Sequence, residues 1–440
     1  MDEFDIAIIG GGILGNSLAY VLSSFTTNKI ALIEKEKTTG IHSSSRNTGV
    51  IHRPFYLNPI TKSIYANVSQ ISYEMWKKLA TTNNLPWNQR GTIEISTEDQ
   101  LNKVLKDYEK YAEENGMKPE EYTILDSLEL NKLEPNVKGS EAFLSKTDTN
   151  VSFGQFTKAL SNFSAFNGTK YIFSSHAIEI NDDNGQVAYL NDKRETKILT
   201  AGVIVNLAGG ESLKIAHKCG LARHYALLHF RGDYWRLKEN SLKISHNIYT
   251  VPKHMKYPFL DPHYIIRPDG SVELGPNAHL VSTPYSYPKG DENRRNGDRD
   301  ILSKPVIPKL KLFTNREFIS LVRKEWKSTT KRSEMVKRMK EIIPKLDTEM
   351  IEGRGLSGIR HSLVDRNGFV PEAVVLNGNL SLHVLNYNSP GATGAPAYSI
   401  YLYTRLKKLG LLRESKSELN LKNENIWNDG TNQALDVFLK

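Results

Sequence analysis

Phe4-Asp5-Ile6-Ala7-Ile8-Ile9, then Gly10-Gly11-Gly12-Ile13-Leu14-Gly15 and, past an apolar helical run, Ile30-Ala31-Leu32-Ile33-Glu34-Lys35 decide how this chain folds. The opening apolar run reads as a buried parallel strand. Gly10 permits a tight turn, Gly12 admits a close backbone approach, and Gly15 lets the next helix settle onto the sheet. That helix starts at Ile13 and Leu14, aiming free N–H groups and a partial positive charge into the turn, as a diphosphate requires. Glu34 closes the second strand about 20 residues beyond the glycines, where an acid is expected to hold a ribose diol, with Lys35 beside it. Glycines alone are a weak signal. Strand, glycines, helix, strand and acid in this order predict a dinucleotide-binding βαβ unit.

Bulk properties narrow the class. The chain has 440 residues, too many for one simple core, so two closely joined domains are expected. Apolar residues make up 39% and charged residues 24%, and no apolar run is long enough to span a bilayer. The first strand begins at residue 4, so no signal peptide is expected ahead of it. Cys219 is the single cysteine, which rules out an intrachain disulfide and a cysteine-based metal site and suits a reducing cytoplasm. No metal centre is predicted. The net charge is +9, and no nucleic-acid motif accompanies it, so nucleic acid is not an expected partner. The excess suits an anionic membrane surface or a field that gathers an anionic substrate. Its densest part, 309–345, has helical spacing and reads most simply as a solvated helix face.

Along the chain, a loop rich in Ser, Asn, Gly and His spans 38–59. Helices are predicted over 60–79, 101–116 and 153–163, strands over 92–96, 170–180 and 201–210, the last running into small residues, and a hairpin across Asp183-Asn184-Gly185. Residues 225–280 read as mostly β and 281–300 as a polar loop. A last buried strand over 381–386 opens into a helix after Ser389. Nucleotide-type signals therefore stand at the beginning, middle and near the end, with β-rich material between. Two interleaved domains are expected: 1–85, 150–220 and 350–410 for the nucleotide, 86–149 and 221–349 for the substrate. Residues 411–440 form a tail that either docks a partner or caps the fold.

Three blocks resemble the FAD-dependent oxidoreductases of the D-amino-acid-oxidase and glycerol-3-phosphate-dehydrogenase superfamily: Gly10 to Lys35, Ser43-Ser44-Ser45-Arg46-Asn47-Thr48-Gly49-Val50-Ile51-His52, and Ser389-Pro390-Gly391-Ala392-Thr393. The resemblance covers all but the tail. It implies an α/β fold of glutathione-reductase type, D-amino-acid-oxidase-like, with a Rossmann-like FAD-binding domain interleaved with a β-rich α+β substrate domain. It further implies that Ser44, Ser45, Arg46, Asn47 and Thr48 contact the cofactor along its diphosphate and ribityl chain. Ile178 would offer its backbone to adenine, and Ala208 and Gly209 would let the nucleotide pass. Gly358, Pro390, Gly391, Ala392 and Thr393 would face the flavin.

Within the superfamily two branches are close. Phe230-Arg231-Gly232-Asp233-Tyr234-Trp235, Asp269-Gly270-Ser271, Gly275-Pro276-Asn277-Ala278 and the loop ending in His52 are similar to L-2-hydroxyglutarate dehydrogenases. Ser45-Arg46-Asn47 and Ser357-Gly358-Ile359-Arg360 are similar to glycerol-3-phosphate dehydrogenases.

Flavin chemistry needs a preorganised positive field beside the ring, which a helix starting at Gly391 supplies. Oxidising a secondary alcohol also needs a base near neutral pH, and a histidine is the usual one. His263, in Asp261-Pro262-His263-Tyr264, matches the family's substrate-domain histidine, and His52 ends the flavin loop; a random histidine is more often structural. An arginine fork suits a carboxylate or phosphate. Arg360 matches the family's substrate arginine, Arg46 and Arg53 bracket the flavin loop, Tyr264 adjoins His263, and Arg231 either joins them or pairs with Asp233. Lys253, His254 and Lys256 add charge on a loop that is otherwise simply solvated.

Because a phosphate dianion asks for more positive charge than a carboxylate, the extra arginines favour oxidation of sn-glycerol 3-phosphate to dihydroxyacetone phosphate. L-2-hydroxyglutarate oxidation is the alternative, followed by amine oxidation. A flavoprotein scaffold in an electron-transfer complex and an NAD-binding enzyme are the rivals from other classes. The expected partners are a small anionic substrate and a membrane quinone or electron carrier, with a membrane-anchor protein or a homodimer as further candidates. The expected place is the cytoplasm, with peripheral attachment to the cytoplasmic face of a membrane.

Overall fold

The structure is a computed structural model that describes residues 2–97, 102–253, 257, 261–295, 300, 303–412 and 426–439. The opening residues form β1 (Asp2–Ile9), α1 (Ile13–Phe25) and β2 (Ile30–Ile33), with the two strands paired in parallel as the βαβ reading requires. β1 lies at the middle of an eight-stranded sheet. One neighbour is β2, which continues to the strand Lys170–Ile172; the other is Thr196–Asn206, which pairs in parallel with both β1 and Ser381–Leu385. Alternate residues face opposite layers. Ile6 and Ile8 meet α1, α2 (Ser63–Thr82) and the helices Phe153–Phe166 and Gly391–Lys408, while Ala7 and Ile9 face the hairpin strands His176–Asn181 and Gln186–Leu190.

Two glycines set the sharp turn after β1. Gly10 takes a φ of 109°, closed to most side chains, and a Cβ on it would stand 2.4 Å from the Leu207 carbonyl oxygen. A Cβ on Gly15 would stand 1.9 Å from the Gly10 carbonyl oxygen, so only glycine lets α1 approach the strand this closely.

A second, ten-stranded sheet is built from 92–145 and 226–369. Its spine is the antiparallel pair Ala226–Leu237 and Ile351–Asp365. The segment 350–370, expected on the nucleotide side, thus lies in this sheet, and the chain returns to the first sheet only at Val374–Asn377. The reason is local: Ile351–Asp365 hydrogen-bonds along nearly its whole length to Ala226–Leu237, yet its Gly358 reaches the flavin loop. A Cβ there would stand 1.9 Å from the Arg46 carbonyl oxygen.

Other expectations shift slightly. The strand expected over 170–180 is split at Ser174, whose φ of 49° ends the first part. The basic region forms the helices Ile307–Phe313, Arg316–Thr330 and Arg332–Met339, and Met335, Val336 and Met339 bury their apolar side under the second sheet. Most of its charges stay in solvent, but Lys309 is buried and donates to the carbonyls of Asp300 and Ser303.

The described part of the tail, Ile426 onward, is a cap. Trp427 is 1% exposed, meets Tyr20 and Trp76 edge-on, and donates its indole N–H to the Met75 carbonyl at 2.9 Å. The helix Asn428–Phe438 then rests on α2 and Gly391–Lys408.

Candidate active site

Two connected cavities run between the sheets. The larger, about 300 Å³, is lined by Gly12 to Gly15, the loop 43–52, Gly358 to His361 and Pro390 to Thr393. The smaller, about 120 Å³, lies beyond the end of β1 and is lined by Gly10, Glu34, Lys35, Ala177, Ala208 and Tyr285. Gly12, Ser43, Ser44, Leu207, Gly209 and His361 line both, so they form the neck between them.

The lining fits an extended dinucleotide. The helix start of α1 opens at the neck, and Ser44 Oγ accepts from Ile13 N at 2.9 Å, which fixes the loop against it. A Cβ on Gly12 would approach Ser44 Oγ to 3.2 Å and narrow the neck. Glu34 Oε2 accepts from Gly11 N at 2.6 Å and Oε1 from Glu36 N at 2.8 Å. Burial raises its carboxyl pKa, against the lowering pull of those N–H groups and of Lys35. Asn47 donates to the Ser43 and Ser44 carbonyls and accepts from Gly49 N, holding the loop so that Thr48 meets the larger cavity. At its far end stands the N-terminus of Gly391–Lys408, anchored where Trp76 Nε1 donates to the Thr393 carbonyl at 2.8 Å. Ser45 and Ile178 line neither cavity: Ser45 Oγ donates back to its own loop, and the Ile178 carbonyl accepts from Lys218 Nζ.

A strap closes over this path. Residues 281–295 leave the second sheet and fasten to the nucleotide side through Arg46–Asp291 at 2.7 Å and Arg295–Glu36 at 2.5 Å. His42 lies stacked on Tyr287, and Lys35 sits 3.9 Å above the Tyr285 ring.

The two candidate histidines separate clearly. His52 lines the larger cavity, with its Nδ1 donating to Asp148 Oδ2 at 2.8 Å. Asp148 is fully buried, and its Oδ1 accepts from Arg53 N at 2.9 Å and Ser145 Oγ at 2.6 Å. With the proton fixed on Nδ1, the His52 Nε2 lone pair is left as an acceptor; the Tyr249 hydroxyl lies 3.4 Å from it. His263 does not line the cavity. It stacks behind Tyr249 at 3.7 Å, its Nδ1 is buried without a partner among the described residues, and burial, with His52, holds its pKa well below the ordinary value.

The arginines separate as well. Arg360 lines the cavity; burial lowers its pKa, opposed by the nearby Tyr234, Tyr56 and Tyr65, and it remains a cation. Arg46 also borders the cavity but commits its fork to Asp291, donates to the Ser357 carbonyl and stacks on Tyr287. Arg53, 4% exposed, points away to Gln70 and Glu121 beneath the Tyr73 ring. Arg231 is clamped by Asp233 at 2.8 and 3.0 Å. Tyr264 belongs to the core of the second sheet, its hydroxyl donating to the Leu242 carbonyl. Of the five substrate-binding candidates, then, only Arg360 and Arg46 line the larger cavity, and Arg46 does so as the partner of Asp291. Lys253 is exposed and pairs with Glu341, and His254 and Lys256 lie outside the described residues.

Sequence reasoning missed Asp148, which no motif marks, and Asn277. Asn277 lines the cavity, its Oδ1 accepting from Asp233 N at 3.0 Å while its Nδ2 has no partner among the described residues.

Comparison with known proteins agrees with this geometry. The family model described as FAD dependent oxidoreductase matches residues 5–403. The chain is 27% identical over 418 residues to the mitochondrial L-2-hydroxyglutarate dehydrogenase of Nematostella vectensis, covering 90% of this chain and 89% of that protein. It is 26% identical over 411 residues to the L-2-hydroxyglutarate dehydrogenase of Escherichia coli K12, covering 92% and 94%. Its fold is like that of the L-alpha-glycerophosphate oxidase of Mycoplasma pneumoniae, solved with FAD bound, at a TM-score of 0.69 and 19% identity over 96% of this chain and 99% of that one.

Proposed function

We propose that this chain, which belongs to the FAD dependent oxidoreductase family, oxidises the secondary alcohol of a 2-hydroxy dicarboxylate, L-2-hydroxyglutarate, to the 2-oxo acid. The observation that carries the reading is the disposition of the arginines. Glycerol 3-phosphate is favoured by sequence because Arg46 and Arg53 promise extra charge for a dianion; both are committed to carboxylates of the protein. The half-buried guanidinium of Arg360 at the cavity suits one carboxylate in a bidentate grip. Asn277, with a free amide donor, supplies a neutral contact for a second polar group.

In this mechanism Arg360 holds the substrate carboxylate and turns its C2 hydroxyl toward His52. Nε2 of His52 takes the hydroxyl proton as the C–H bond breaks, while Asp148 keeps the ring oriented and stabilises the imidazolium that forms. Bound FAD supplies the acceptor for the hydride, so the electron pair leaves with hydrogen and the carbonyl closes. The N-terminus of Gly391–Lys408 offers donors for charge that develops at that end of the cavity. The onward electron acceptor would be a membrane quinone or an electron carrier. Among the described residues no helix is long and apolar enough to cross a membrane. Peripheral attachment at a cytoplasmic membrane face is supported by exposed Ile307, Leu310 and Trp326 beside lysines and arginines.

The test is anaerobic mixing of the yellow protein with each substrate in turn. Bleaching at low L-2-hydroxyglutarate, with glycerol 3-phosphate and glycine inert, is the expected outcome. Bleaching by glycerol 3-phosphate alone would return the assignment to the phosphate ester. No bleaching by any of them would favour the scaffold role.

A further inference from the structure

His361 stands at the neck between the two cavities, and neither the base nor the substrate anchor uses it. It is one residue past Arg360, so on the same strand it points to the opposite side. Gly210 lies against its imidazole edge, where even a Cβ would come within 2.8 Å of Nε2. Its Nδ1 is 2.9 Å from Nδ1 of His229, and His229 Nε2 is 2.9 Å from Asp300 Oδ2. His229 is 1% exposed, so the middle of this row is sealed from solvent, with His361 and Asp300 half-buried at its two ends.

With His229 neutral, the protons along the row have one consistent arrangement. The Asp300 carboxylate accepts only, so His229 carries its proton on Nε2 and presents a lone pair at Nδ1. His361 must then carry a proton on Nδ1. Its Nε2 has no hydrogen-bond partner among the described residues and is the one atom of the row left to change state.

We propose that His361 is a diphosphate-binding residue of the FAD site, which takes up a proton at Nε2 when the cofactor binds and donates that N–H to a phosphate oxygen. The inference rests on the FAD reading of the cavities. Gly12 and Ile13 place the α1 N-terminus at the same neck, so a diphosphate held there brings two negative charges beside the ring. The groups facing His361 from the elements around it are His229 with Asp300, Lys35, His42 and Glu211. Without a ligand, burial first and then His229, Lys35 and His42 favour the neutral ring, with Glu211 opposing. The incoming anion reverses that balance.

The sign follows. The pKa of His361 is higher with FAD bound than without, so affinity is greatest at low pH. It falls as pH rises between the two values, by up to about tenfold in dissociation constant per pH unit for one linked proton.

The experiment measures FAD binding to apoprotein from pH 6 to 9 by quenching of flavin fluorescence, with calorimetry in two buffers of different ionisation enthalpy to count protons. Wild type is expected to take up close to one proton in part of this range, and His361→Gln to lose that uptake while still binding FAD. Asp300→Asn is the second variant. When its amide turns NH2 to His229 Nε2, the His229 proton moves to Nδ1 and His361 holds a permanent neutral N–H at Nε2. Binding by this variant should persist at high pH with a flat pH profile, an outcome that mere structural damage does not produce. Unchanged proton uptake in both variants, or none in wild type, would overturn the proposal. Apoprotein that binds no FAD at any pH would instead overturn the cofactor reading beneath it.

Discussion

Replacing Asp148 by Asn changes one atom and tests the base directly. The carboxylate oxygens have divided duties: Oδ1 accepts from Arg53 N and Ser145 Oγ, and Oδ2 from His52 Nδ1. An amide satisfies this site in one orientation, with its oxygen on the two Oδ1 donors and its NH2 facing His52. The NH2 cannot accept, so His52 must shift its proton from Nδ1 to Nε2. The atom that should receive the substrate proton then already holds one. A positioned general base is worth about 10²–10⁴-fold, and we expect the loss in the rate of flavin reduction rather than in substrate affinity. Rapid anaerobic mixing measures that rate, with flavin content and absorption spectrum as controls for an intact site. His52→Gln should lose a similar factor, and the double variant little more, because the two residues act as one unit. An Asp148→Asn protein that reduces its flavin within a few-fold of wild type would refute the assignment of His52 as base.

Three further outcomes are expected. Arg360→Lys removes the planar fork while keeping the charge, and kcat/KM for L-2-hydroxyglutarate should fall by about 10²-fold or more, read from the same bleaching assay. Glu94 is pushed up to about 8 by burial, with Asp148 adding to the rise and the Tyr108 hydroxyl opposing it. Between its ordinary value of 4.5 and 8 the folded protein holds a proton that the unfolded chain has lost, so this group costs stability as pH rises across that window. The slope is on the order of 1.4 kcal/mol for each pH unit crossed. Glu94→Gln should flatten the loss, leaving the variant more stable than wild type at about pH 9 by a few kcal/mol in denaturant titrations. Trp427→Ala empties a site sealed by Trp76 and Tyr20 and should cost about 3–5 kcal/mol of stability, visible as a lowered Tm.

Much of the fold was legible because its signals are local. The strand, the glycines and Glu34 lie within one short stretch, and Gly15 is demanded by an atom only five residues away. The loop before His52 and the helix start at Gly391 were likewise singled out in the sequence, and both line the larger cavity. What the sequence hid depends on distant partners. Arg46 looks like a free cation until Asp291, 245 positions on, takes it, and Arg53 until Glu121, 68 positions on, does the same. His52 lines the cavity while His263 stands behind the Tyr249 ring that packs between the two imidazoles, which no spacing reveals. Asp148, 96 residues from His52, carries no motif at all, so the dyad emerges only when the small sheet joining 50–51 to 149–150 is formed.

The larger cavity draws its walls from residue 12 at one extreme and residue 393 at the other. On the ribosome, therefore, a nascent chain carrying the complete glycine turn still lacks the opposite wall until residue 393 has emerged. Pigment capture waits on that segment, and products of synthesis interrupted before it should be colourless.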